Sequence, residues 1–137
     1  MNKGLSLIII GVVALLVVIA CTPQAKPAST ASYTDINAAQ LNEMLPAKDF
    51  TLINVHIPYE GELPQTDDFI PYNEIEANAD RLPADKEAKI VVYCRSGSMS
   101  AIAAQTLVDM GYNNIYNLTA GMKEWQSAGY ELLDKGR

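Results

Sequence analysis

Lys89-Ile-Val-Val-Tyr93 reads as a strand whose last four side chains are bulky, with no polar residue among them to turn toward water. Successive side chains of a strand point to opposite faces, so this run must be covered on both sides. Its β-branched residues favour an extended backbone, and such a strand belongs inside a parallel sheet packed between helices. The rest of the chain offers the partners. Phe50-Thr-Leu-Ile-Asn-Val55 reads as a second, largely apolar strand, and Tyr33–Ile36, Phe69–Tyr72 and Ile115–Leu118 as short ones. Asn37 with Gln40 makes a capping-box pattern before a helix over 38–45, which Pro46 stops. Asn73 is placed to cap a helix over 74–81. Apolar spacing at Ala101, Ala104, Leu107 and Val108 predicts a helix over 101–110, with Gly111 closing it. A last helix follows over 121–128. Strand and helix alternate from residue 50 onward, which predicts an α/β domain with a central, mostly parallel five-stranded sheet flanked by helices on both faces.

The chain has 137 residues, enough for one domain and too few for two comfortable cores. Its first segment does not belong to that domain. Lys3 is followed by an apolar stretch from Leu5 to Ala20, broken only by Ser6 and Gly11. That stretch is shorter than the ~20 residues of a spanning helix, and a basic start before it describes a secretory signal over 1–20, with an uncleaved membrane anchor as the alternative that length alone leaves open. Val18-Ile19-Ala20-Cys21 resembles the lipobox of bacterial lipoproteins, which implies a lipid on Cys21 and a protein exported and anchored on the outer face of the cytoplasmic membrane or in the cell envelope. Thr22 follows, not the Asp that marks inner-membrane retention in many Gram-negative lipoproteins. Residues 21–32, rich in Pro, Ala, Ser and Thr, bury nothing and read as a flexible tether, leaving 33–134 as the folded domain.

Ten Lys and Arg, less Lys3, against 16 Asp and Glu leave the mature chain at about −7. That charge excludes nucleic acid as a partner and leaves the lipid as the contact with the membrane. No His, Cys and acid cluster has metal-ligand spacing, and no glycine motif suits a nucleotide, so neither metal nor cofactor is expected. With Cys21 lipidated, Cys94 is the one remaining thiol, and no intramolecular disulfide can form.

Cys94 follows the carboxyl end of the buried strand, the usual site position in an open α/β sheet. Arg95-Ser-Gly-Ser-Met-Ser100 is a loop of mostly small residues that runs into a helix. Such a loop can converge its N–H groups on one point beside a helix N-terminus, which favours an anion there. A thiolate is such an anion, and so is a persulfide formed on it. Gly97 permits the curvature, the hydroxyls of Ser96, Ser98 and Ser100 can donate, and Arg95 is the loop's one cation.

Cys94-Arg-Ser-Gly-x-x-Ser100 resembles the active-site loop of rhodanese-like sulfurtransferases. Leu52-Ile-Asn-Val55, Phe69-Ile-Pro-Tyr-Asn-Glu-Ile75 and Tyr116-Asn-Leu118 followed by Ala120-Gly-Met-Lys-Glu-Trp125 resemble three further segments of that family, in order. The resemblance implies a single-domain sulfurtransferase in which Cys94 takes sulfane sulfur from thiosulfate, a persulfide or a polysulfide and passes it to a thiol, on a small molecule or a protein, or to cyanide. Arg95, Ser96, Gly97, Ser98, Met99 and Ser100 would surround the bound sulfur. A sulfur-carrier or protein-binding module of the same fold, without turnover, is the alternative.

Three positions depart from the family's pattern. Met99 stands where many members have an Arg that binds the sulfonate of thiosulfate, which predicts weak thiosulfate use. Asn54-Val-His56 replaces Asp-Val-Arg, with His56 expected to be a surface or structural residue, no partner for it being visible in the sequence. Glu62, in Gly61-Glu-Leu-Pro64, replaces a His. Trp125 is expected in the core. The acids Asp67, Asp68, Glu74 and Glu76 are expected in solvent.

Overall fold

A computed structural model describes residues 32–137. The signal expected over 1–20, Cys21 and all but the end of the tether lie outside the described residues. Five strands form one sheet: β1 (Thr34–Ile36), β2 (Thr51–Asn54), β3 (Asp68–Phe69), β4 (Ile90–Tyr93) and β5 (Ile115–Leu118). Their order is β1-β5-β4-β2-β3 and every pairing is parallel. The sheet is therefore wholly parallel, because each connection crosses a face and re-enters at the same end. β4 lies at the centre, with all four side chains fully buried. Burying each of them stabilises the fold by about 1.5–3 kcal/mol.

Helices cover both faces. Ile90, Val92 and Cys94 pack with Ile53 and Val55 against Ala103, Ala104, Leu107 and Val108 of α2 (Ser98–Asp109). Val91, Tyr93, Leu52 and Leu118 pack on the other side. There they meet Leu41 of α1 (Ala38–Met44) and Met122 and Trp125 of α3 (Gly121–Ser127). The period-2 alternation of β4 thus divides the core in two, and Cys94 continues it toward α2. Asn37 caps α1 as the sequence predicts: its side chain accepts from the Gln40 N–H at 2.9 Å, and Gln40 Oε1 accepts from the Asn37 N–H at 2.9 Å.

Two expectations need correction. The helix predicted over 74–81 is a 3₁₀ segment, Glu76–Arg81, kinked at Asn78, and Asn73 does not cap it. The Asn78 side chain donates to the Glu74 carbonyl at 2.8 Å, competing with the helical ladder. Arg81 is drawn to Asp68 and to the Phe69 carbonyl. The second correction is to Asp68, which is half-buried and paired with Arg81; Asp67 is exposed as expected and engaged as well. Asp67 accepts from the Leu52 N–H at 2.7 Å and from Lys48 at 2.6 Å, pinning the segment before β3 against β2.

Candidate active site

Cys94 leaves β4 into a loop held from two sides. Its carbonyl and that of Arg95 accept the N–H groups of Met122 and Lys123, both at 3.0 Å. In a planar peptide the N–H opposes the C=O, so turning the Arg95 carbonyl to α3 turns the Ser96 N–H away from α3. The Gly97 N–H donates to Cys94 Sγ at 3.0 Å. Two glycines make this packing possible. Gly97 has φ +96°, and a Cβ on it would stand 1.6 Å from the Thr119 carbonyl oxygen. Gly121, at φ +57°, would place a Cβ 2.1 Å from the Cys94 carbonyl oxygen.

Cys94 is 1% exposed. Burial by itself pushes its thiol up. The Ser100 hydroxyl and the N–H groups of Ser100, Ser96 and Gly97 outweigh that and hold it below its ordinary value. Ser100 is fully buried, and its hydroxyl is also 3.2 Å from the Gly97 carbonyl. It has one proton for two acceptors, and an anionic sulfur draws it more strongly than a neutral carbonyl. The first turn of α2 adds the positive end of the helix on the same side.

The six loop residues thus divide. Ser96, Gly97 and Ser100 converge on the sulfur. Ser98 is exposed, and Met99 is half-buried against the core between sheet and α2. Arg95 points outward to Glu60, with Nη1 at 3.1 and 3.2 Å from the two carboxylate oxygens. Glu60 also receives Nε2 of His56 at 2.7 Å. His56 therefore has a partner that the sequence did not show, and its side chain is only 10% exposed. Asn54 accepts from the His56 N–H at 3.0 Å and donates to the Gly61 carbonyl at 3.0 Å, so a neutral amide suffices where the family has an acid. Glu60, Arg95, Met122, Gln126 and Leu132 line a cleft of about 230 Å³ beside the loop. Glu60 was not legible as a site residue: it lies in a loop without periodicity, 35 residues from Arg95. Among the described residues no three His, Cys, Asp or Glu side chains gather as a metal site.

A buried cysteine at the end of the central parallel strand, ringed by N–H donors, defines a class of α/β proteins that stabilise an anion on sulfur. Residues 37–128 match the family model of the rhodanese-like domain, and the chain belongs to that family. A sulfurtransferase from Allochromatium vinosum is 28% identical over 103 residues, covering 72% of this chain and 94% of that protein. A rhodanese-related protein from Thermoplasma volcanium superposes with a TM-score of 0.62 at 30% identity, over 74% of this chain and 98% of the other. The polysulfide-sulfur transferase homodimer of Wolinella succinogenes gives a TM-score of 0.63 at 25% identity, over 77% and 81%.

Proposed function

We propose that the protein is a sulfurtransferase working through a persulfide on Cys94. The observation that carries this reading is the Gly97 N–H held 3.0 Å from Sγ in a loop whose other donors lower the thiol. The Cys94 thiolate attacks the outer sulfur of the donor. An Sγ–S bond forms, the donor's S–S bond breaks, and the electron pair leaves with sulfite (from thiosulfate) or with a thiolate (from a persulfide). An acceptor thiolate then attacks the outer sulfur of the Cys94 persulfide, takes it, and returns the Cys94 thiolate. Two displacements replace one slower direct transfer, and the loop donors face the anionic sulfur in both. The names of the Allochromatium and Wolinella relatives support sulfur transfer as the chemistry.

The 1% exposure of Cys94 favours a second reading, a sulfur carrier that opens only against a docked partner. One experiment separates the two. The domain lacking residues 1–21 is incubated with thiosulfate or with polysulfide, and its intact mass is recorded beside Cys94→Ser. Transfer chemistry gives one added sulfur that requires Cys94 and is removed, over many turnovers, by a small thiol. A sulfur that loads but does not turn over identifies the carrier. No added sulfur rejects both.

The function is further proposed to operate on a membrane surface outside the cytoplasm. Val18-Ile19-Ala20-Cys21 supports acylation of Cys21, and two or more acyl chains anchor stably. Labelled fatty acid fed to cells should enter the full chain and not Cys21→Ala; equal labelling of both would end this part of the proposal.

A further inference from the structure

Resting on the sulfur-transfer reading and deepening it, we propose that Glu60 sets the donor class: by holding Arg95 it turns the site away from sulfonate-ended donors and toward sulfur carried on thiols. A donor such as thiosulfate brings a sulfonate that needs a cation when it leaves water. Among the described residues Arg95 is the one cation lining the cleft beside the loop. It is already engaged, with Nη1 against both oxygens of Glu60 at 3.1 and 3.2 Å. A second anion would meet a guanidinium whose charge is offset and a carboxylate that repels it.

Glu60 is itself held from behind. Its Oε2 accepts the Nε2–H of His56 at 2.7 Å, and that ring is buried. The His56 bond and the Arg95 charge, against an opposing effect of burial, keep the Glu60 carboxyl below its ordinary range, so it stays anionic near neutral pH. The other cations near this end do not fill the gap. Lys123 is exposed and does not line the cleft. Lys135 and Arg137 are bound to Glu62. Met99, inside the loop, has no donor to offer. What the cleft does present is apolar surface from Leu132, over the buried Met122, and one amide, Gln126. Those groups suit the carbon portion of a thiol-borne donor, whose outer sulfur is then met by the loop amides alone.

The test compares thiosulfate with cysteine persulfide in steady-state sulfur transfer to a common thiol acceptor. Glu60→Gln keeps the side-chain shape and removes the charge. Its ratio of kcat/KM for thiosulfate over that for cysteine persulfide should rise about threefold to tenfold, as one unit charge a few ångströms from an anion would give. The rise should come from KM for thiosulfate with kcat within twofold, because the carboxylate does not touch the reacting sulfur. Adding Arg95→Ala to Glu60→Gln should abolish the gain. A ratio that stays the same or falls overturns the inference, as does a gain that survives Arg95→Ala. Should Glu60→Gln fail to fold, Glu60→Asp, which draws the carboxylate back from Arg95, must shift the ratio the same way. If wild type transfers sulfur from neither donor, the sulfur-transfer reading itself falls and this inference with it.

Discussion

The chemistry depends on one sulfur atom and on which neighbours lower its proton affinity. Ser100 is the neighbour whose removal is most informative, because it is fully buried and contributes both a hydroxyl and an N–H, of which Ser100→Ala takes only the hydroxyl. The folded thiol lies below its ordinary value, so the thiolate is present above the folded pKa and lost as pH falls through it. Losing a donor to the anion raises that pKa. The acid limb of the sulfur-loading rate should therefore move to higher pH in Ser100→Ala. At neutral pH loading should slow about tenfold, the worth of one hydrogen bond to a charged group (~1.5 kcal/mol). Titrating the ultraviolet absorbance of the thiolate in both proteins checks the cause directly. An unchanged titration with slower loading would assign Ser100 to holding the loop and not to tuning the thiol.

Among the elements, those that bury whole faces were legible and those governed by distant partners were not. β4 announces itself because four apolar residues in a row have one solution in a small α/β domain. The Asn37–Gln40 box announces α1 because both of its bonds are local. α2 was read from Ala101, yet it begins at Ser98. Its first turn gives the Ser100 amide and hydroxyl to the sulfur, so it lacks the apolar spacing by which a helix is read. Asn78 and Arg81 looked like ordinary helix residues until Asp68 was brought beside them. The site divides in the same way. Cys94 and its cradle are contiguous in sequence and could be found there. His56, Glu60 and Arg95 meet only because the 56–61 loop folds back over the end of β4, and the hydrogen bonds of Asn54 to both ends of that loop are what hold it.

At the scale of the whole molecule, the wall of the site is closed by the end of the chain. Leu133 and Glu62 exchange two backbone hydrogen bonds, at 2.8 and 2.7 Å, and the Lys135 N–H donates to the Tyr59 hydroxyl at 3.0 Å. The Glu62 side chain is fully buried, and its oxygens meet Lys135 Nζ at 2.7 Å and Arg137 Nε at 3.2 Å. A carboxylate with no exposure is stable only while such partners neutralise it. Residues 59–62 also carry Glu60, so what fixes the tail fixes the group that holds Arg95. Removing both cations, as Lys135→Ala with Arg137→Ala, should cost about 2 kcal/mol in denaturant unfolding. That is less than the 3–5 kcal/mol of a wholly buried pair because both cations are partly in solvent. The same two substitutions made in a Glu62→Gln background should cost well under 1 kcal/mol, since no buried charge is left to strand. The difference between the two losses measures the coupling. A tail that merely covered apolar surface would lose the same amount in both backgrounds, and the buried carboxylate would then have no part in closing the site.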